Sequence, residues 1–304
     1  MSIEMVPFHE GEKLLDWVGL TQAFEAGHKL PKAEIGDTFL YRGKDTLLSR
    51  AAWIDGMGIA VKSATIFPNN PQAGKPVVGG GVSLYSDADG SLEAIVDFHL
   101  VTKWKTAGDS LLGALKLARK DSRKILIIGA GTVGRSLRQA YGAGFPEAEF
   151  TVWNRTRANA EKMAAEYPGM KVADSLEAAV KEADIITSAT MVTEPNLMGA
   201  WLQDGQHVDL IGAYRPDMRE ANDEALTRSS IFVDSFNTTV GHIGEIEIPL
   251  QTGVISREDI LADYYSAEKM QRTSDSEITL FKNGGGAHLD LMTSRYILEA
   301  WRRR

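Results

Sequence analysis

The 304-residue chain has no cysteine. That excludes disulfides, thiolate metal sites and cysteine nucleophiles, and it suits a reducing compartment. Nor is there an uninterrupted apolar run approaching the ~18 residues of a transmembrane helix. The opening Met1-Ser2-Ile3-Glu4-Met5 carries an early acid and no apolar core of the secretory kind. The expectation is a cytoplasmic protein with no membrane partner. Positive charge is also in deficit: 33 Lys and Arg stand against 41 Asp and Glu, a formal net charge of −8. Nucleic-acid phosphates draw on concentrated Lys and Arg, so no nucleic-acid partner is expected. The basic end Trp301-Arg302-Arg303-Arg304 reads as a helix C-terminus, where cations complement the dipole. His9, His28, His99, His207, His242 and His288 show no i,i+4 pairing, so no helical metal motif is expected.

What is present falls into two patterns on either side of a charged stretch, Ala118-Arg119-Lys120-Asp121-Ser122-Arg123-Lys124. After it, Ile125-Leu126-Ile127-Ile128 is the continuous, mostly β-branched apolar run of a strand buried on both faces. Helices are expected over Arg135–Tyr141, Ala158–Tyr167 and Leu176–Ala183, the last capped by Ser175. Strands are expected at 150–153, 184–187, 207–211 and 231–234. Alternation of this kind implies an α/β fold with a Rossmann-type, doubly wound parallel sheet. Before residue 118 the signals are a helix over Leu14–Phe24, strands at Ile59–Phe67 and Val77–Tyr85, a turn at Asp87-Ala88-Asp89-Gly90, and β-like alternation from Leu92 to Phe98. These imply a mixed or antiparallel sheet, a second domain of α+β type.

Between the first buried strand and its helix lies Gly129-Ala130-Gly131-Thr132-Val133-Gly134, a G-x-G-x-x-G in the setting its mechanism requires. Gly129 permits the tight turn, Gly131 admits a pyrophosphate against the backbone, and Gly134 lets helix and strand pack closely. The helix start at Thr132 and Val133 offers unpaired N–H groups and a positive dipole to phosphates. Enzymes that use NAD usually carry Asp or Glu about 20 residues farther on, to bond the ribose 2′-hydroxyl. Here the segment is Trp153-Asn154-Arg155-Thr156-Arg157. A carboxylate would repel a 2′-phosphate, whereas Asn154, Arg155, Thr156 and Arg157 can bond it, so NADPH is expected over NADH. Thr190, at a later strand end, is placed to approach the nicotinamide half.

Several segments, in order and spacing, resemble one family. They are Val61-Lys62, Leu100-Val101-Thr102 to Thr106-Ala107, the Gly129 loop, Thr193-Glu194-Pro195, Ile211 to Glu220, Val233-Asp234-Ser235 and Glu277 to Asn283. The chain is similar, from about Leu47 to Ile297, to the ornithine cyclodeaminase and mu-crystallin family of NAD(P)-dependent enzymes. The resemblance implies residues 1–118 with 288–304 as a substrate-binding and dimerisation domain of a homodimer. Residues 119–287 become an inserted NADP-binding Rossmann domain, with small α-amino or α-imino acids bound where the two domains meet.

By the same resemblance Lys62 reaches the substrate carboxylate, a lysine on an otherwise apolar and small-residue strand that would be costly to bury unpaired. The family's Arg-Thr-Ala-Ala reads Lys105-Thr106-Ala107-Gly108, so Lys105 keeps the charge but loses the bidentate fork. A further family arginine is missing near Pro31-Lys32-Ala33, and Arg50 is its nearest substitute. Cyclodeaminases carry an aspartate in a Gly-Gly-Asp turn; here that place holds Tyr214. A phenol of ordinary pKa is a poor general base at neutral pH, yet it can donate a proton. The resemblance therefore implies NADPH-dependent reduction of a cyclic ketimine, Δ1-pyrroline-2-carboxylate or its six-membered homologue Δ1-piperideine-2-carboxylate, to L-proline or L-pipecolate. Lys62 and Tyr214 are the catalytic candidates. The alternatives are an ornithine cyclodeaminase or alanine-dehydrogenase-like enzyme, and a non-catalytic protein that binds NADPH.

Overall fold

Antiparallel pairing dominates one part of the chain and parallel pairing the other. The computed structural model describes residues 3–304. They divide into a first unit, the residues up to Lys105 with Gly285–Arg304, and a second, Thr106–Gly284. These junctions differ from 118 and 287, where the charged stretch and the resemblance set them. One long helix, Phe98–Leu117, runs past the first junction without a break, so a change in surface charge near residue 118 marks the helix end instead.

The first unit begins with β1 (Glu4–Val6), α1 (Phe8–Glu12) and α2 (Trp17–Gly27). Asp16 caps α2 by accepting from Gly19 N at 2.6 Å, so the helix starts at Trp17, three residues later than expected from Leu14. Four longer strands follow: β2 (Glu34–Arg42), β3 (Asp45–Ile54), β4 (Gly58–Ile66) and β5 (Val78–Tyr85), then β6 (Leu92–Asp97) and α3 (Phe98–Leu117). The sheet order is β1-β6-β5-β4-β3-β2, antiparallel except where β1 joins β6. The C-terminal helix Ala287–Arg302 packs against β3, β4 and α2, with Leu289, Leu291, Met292 and Leu298 buried. The β2–β3 hairpin and α3 are absent from the sequence expectations. Every residue of β2 is exposed, so its side chains carry no alternation of burial. Gly108 and Gly113 weaken the helical signal of α3. Gly113 is needed for packing, since a Cβ there would lie 2.7 Å from the Phe281 ring.

The second unit is a doubly wound α/β sheet, as its sequence pattern implies. Its elements are β7 (Lys124–Ile128), α4 (Thr132–Gly144), β8 (Glu149–Trp153), α5 (Arg157–Glu166), β9 (Lys171–Val172), α6 (Leu176–Glu182), β10 (Ile185–Ser188) and β11 (His207–Leu210). Then come α7 (Asp223–Thr227), β12 (Ser230–Val233), α8 (Phe236–Thr239), α9 (Gly244–Gln251), β13 (Ile260–Ala262) and β14 (Thr279–Lys282); the C-terminal helix is α10 (Ala287–Arg302). All eight strands are parallel, in the order β13-β12-β14-β11-β10-β7-β8-β9. The chain runs outward from β7 through β8 to β9, then returns across β7 to β10. The direction reverses at β7/β10, and in such sheets ligands bind beyond the strand carboxyl ends at that point. Among the described residues no helix is long and apolar enough to cross a membrane.

Candidate active site

At the β7/β10 reversal the glycine loop takes the conformation its residues were expected to permit. Gly129 has φ +109°, and a Cβ there would lie 2.9 Å from the Ala189 carbonyl oxygen after β10. A Cβ on Gly134 would run into the Gly129 carbonyl, so helix and strand approach as closely as glycine allows. Gly131 is different: a Cβ there would meet nothing within 4 Å. It is the N-cap of α4, and no side chain caps that helix. Thr132 and Val133 thus begin a helix with uncapped amides and open space above it, which fits a dinucleotide pyrophosphate.

The end of β8 sorts the four residues read as phosphate contacts. Asn154 accepts from Ala130 N at 3.1 Å and donates to Thr156 O at 2.9 Å, bracing the glycine loop. Arg157 bonds Glu161 at 2.8 Å and pairs with Asp174, so its guanidinium is already committed. Arg155 and Thr156 are exposed. Arg155 is therefore the guanidinium at this corner that is not spent on a neighbouring carboxylate. Thr190 is held through N and Oγ1, each 2.7 Å from Glu220 Oε1.

In the first unit the structure gathers Arg50, Lys62 and Lys105 and adds a residue that sequence reasoning missed, Asp290. Burial along β4 alternates, so Lys62 shares the covered face with the small Ala60 and Ala64, which leave room for its stem. Antiparallel register sets Arg50 opposite Lys62 and Asp37 opposite Arg50. Lys62 Nζ donates to Asp290 Oδ1 at 2.9 Å, and Lys105 Nζ to Oδ2 at 3.0 Å and to Gly285 O at 2.6 Å. Arg50 bonds Asp37 at 2.6 Å and Gly285 O at 3.2 Å. Lys62 Nζ also stands 4.8 Å from the centre of the Phe98 ring. Lys62, Lys105 and Asp290 are all at least nine-tenths buried.

These charges do not cancel. Asp37 balances Arg50, but one carboxylate faces two ammonium groups, leaving one buried positive charge in excess. Burial, Lys62 and Arg50 outweigh Asp290 and bring Lys105 down to about 8. Burial would raise Asp290, yet Lys105, Lys62 and Arg50 together hold it at about 2. Burial and then Lys105 depress His288 to about 3, so it adds no charge near neutrality. The only sequence signal for Asp290 was a lone acid among apolar neighbours in His288-Leu289-Asp290-Leu291-Met292.

Tyr214 is 60% exposed, with the Arg215 guanidinium 5.9 Å from its ring centre. The nearby Asp217 is bonded twice to Arg215, at 2.8 Å each. Among the described residues no group of three or more His, Cys, Asp or Glu could hold a metal.

The sequence profile of the Ornithine cyclodeaminase/mu-crystallin family matches residues 52–304. A Δ1-pyrroline-2-carboxylate reductase of Paracoccus denitrificans is 47% identical over 291 residues, covering 93% of this chain and 92% of the relative. The solved Δ1-pyrroline-2-carboxylate reductase of Thermococcus litoralis, in complex with NADH and L-proline, superposes with a TM-score of 0.90. It is 27% identical and covers 99% of this chain and 98% of its own. An archaeal alanine dehydrogenase dimer with bound NAD matches equally well, with a TM-score of 0.90 at 27% identity over 100% and 97% of the two chains. The loop at Gly129, the strand order around it and the matched span agree, and the chain belongs to the ornithine cyclodeaminase/mu-crystallin family.

Proposed function

We propose that the protein is an NADPH-dependent reductase of cyclic ketimines, converting Δ1-pyrroline-2-carboxylate to L-proline and its six-membered homologue to L-pipecolate. The observation that carries this is the buried Lys62–Asp290–Lys105 cluster with one cation in excess. A buried charge without a partner is costly, and an anionic ligand removes the cost. A small imino acid brings one carboxylate, which matches one missing negative charge. Relatives that reduce pyrroline-2-carboxylate support the substrate class.

When bound, the dihydronicotinamide supplies a hydride to the imine carbon. The chain's own task is positioning: Lys62 and Lys105 hold the carboxylate from one side, with Arg50 beside them, and fix the ring's distance and face. The imine nitrogen takes its proton from water or from Tyr214. Tyr214 stands where deaminating relatives carry aspartate, and Asp217 is already spent on Arg215. Neither position thus offers an uncommitted carboxylate to take a proton from an amine.

The test is a substrate panel. The protein is expected to consume NADPH, followed by its absorbance, with either cyclic imine, and to release no ammonia from L-ornithine supplied with NAD. Ammonia release at a rate matching imine reduction would make it a cyclodeaminase. Cofactor binding without turnover of any imine would make it a binding protein.

NADPH is assigned over NADH because Arg155 is uncommitted and no acid stands at Asn154. Arg155→Ala is expected to raise KM for NADPH by about 10- to 100-fold, the worth of a charge-assisted bond. KM for NADH should stay near wild type. Equal losses for both cofactors would remove the arginine from phosphate recognition.

The reading includes a homodimer, which is supported by β2, whose edge exposes Phe39, Leu40 and Tyr41 in succession. An unpaired strand edge with apolar side chains is a template for association. A solution mass matching one 33.2 kDa chain would contradict it.

A further inference from the structure

Beyond the glycine loop, the carboxyl ends of β10 and β11 are joined in an unusual way. Their backbone ladder closes with Ile211 N donating to Ser188 O at 2.9 Å. Past that bond the amides of Thr190 and Gly212 have no strand partner, and buried amides require one. A single side chain takes both. Glu220 Oε1 accepts from Thr190 N at 2.7 Å, and Glu220 Oε2 from Gly212 N at 2.5 Å. Oε1 also accepts from Thr190 Oγ1 at 2.7 Å and Ser188 Oγ at 2.6 Å. Four donors on two oxygens suit an ionised carboxylate, which only accepts. Burial raises the Glu220 carboxyl, and Lys282, itself fully buried, opposes this with favourable charge alongside the four hydrogen bonds. Its own backbone is fixed from behind: Glu220 N and Ala221 N donate to Glu245 at 2.6 and 3.0 Å.

The loops held in this way are in backbone contact with one another. A Cβ on Gly212 would run into the Thr190 backbone, and a Cβ on Gly129 would crowd Ala189. The loops after β7, β10 and β11 therefore form one platform. A dinucleotide bound across the reversal lays its adenosine half toward β8 and its nicotinamide half toward β10 and β11. Arg155 lies at the first end and Glu220 beneath the second.

We propose that Glu220 is the positioning residue for the nicotinamide half of the cofactor. It touches no cofactor atom and acts through Thr190 and Gly212. The inference rests on the dinucleotide reading of the Gly129 loop, which wild-type cofactor binding checks by itself.

The test compares two ligands that differ only in the nicotinamide: NADPH and 2′-phospho-ADP-ribose, or NADH and ADP-ribose if wild type prefers them. Glu220→Gln keeps the shape but turns an amide donor toward donors. The Kd for the complete cofactor should rise about tenfold or more, and that for the truncated ligand should change by less than about twofold. Glu220→Asp keeps the charge one methylene short; the same split is expected if the glutamine variant does not fold. Equal weakening of both ligands, or of neither, overturns the proposal.

Discussion

Lys62→Met is expected to lower kcat/KM for Δ1-pyrroline-2-carboxylate by about 100-fold, because truncating one partner of a buried charge contact costs about 2–5 kcal/mol. The same variant should bind NADPH as wild type does. Its fold should also survive, for a reason visible in the charges. Wild type has two ammonium groups on the Asp290 carboxylate; the variant has one of each, and Lys105 still holds Asp290 at 3.0 Å. Methionine has an apolar stem of similar length to place beside Phe98, near which Lys62 now lies. The mutation therefore removes the excess cation and little else. Steady-state kinetics and a cofactor titration on one preparation decide the matter. Activity within about twofold of wild type would place the carboxylate elsewhere.

The alkaline side of the pH profile should report Lys105. Burial brings its ammonium down to about 8, with Lys62 and Arg50 pushing the same way and Asp290 opposing them. Below that value the cluster carries one net positive charge for an anionic substrate. Above it Lys105 is neutral, the net charge is zero, and anion binding weakens. For a single group this means that kcat/KM declines by about a decade per pH unit above about pH 8. A carboxylate in the site favours the protonated lysine, so binding of L-proline at about pH 9 should be accompanied by proton uptake. Calorimetry in two buffers of different ionisation enthalpy measures that uptake. Asp290→Asn removes the main influence holding Lys105 up, so its alkaline limb should begin at lower pH than in wild type. The charged groups facing Lys105 from β3, β4 and α10 are Arg50, Lys62 and Asp290, with His288 neutral. A profile flat to about pH 10, or one that Asp290→Asn leaves in place, would contradict this account.

The sequence by itself determined the parallel sheet and its cofactor loop, because their signals are local. A continuous apolar run such as Ile125–Ile128 needs cover on both faces wherever it lies, and glycines at 129 and 134 state a backbone requirement that no distant residue alters. The resemblance likewise pointed to Lys62 and Lys105 from their own segments, and to Arg50 as the nearest substitute for a missing arginine. Tertiary structure alone decided what those charges do. Asp290 reaches Lys62 across 228 positions and Lys105 across 185, and neither separation leaves a mark on helix or strand period. The same holds at the β8 corner, where Arg155 and Arg157 look alike in sequence, and only Asp174 and Glu161 show which is spent. Glu220 stood in a recognised segment without a role until folding brought Ser188, Thr190 and Gly212 onto its carboxylate. Backbone preferences act over a few residues and can be read along the chain. The partner of a buried charge is set by which surfaces pack together, and the chain order does not record it.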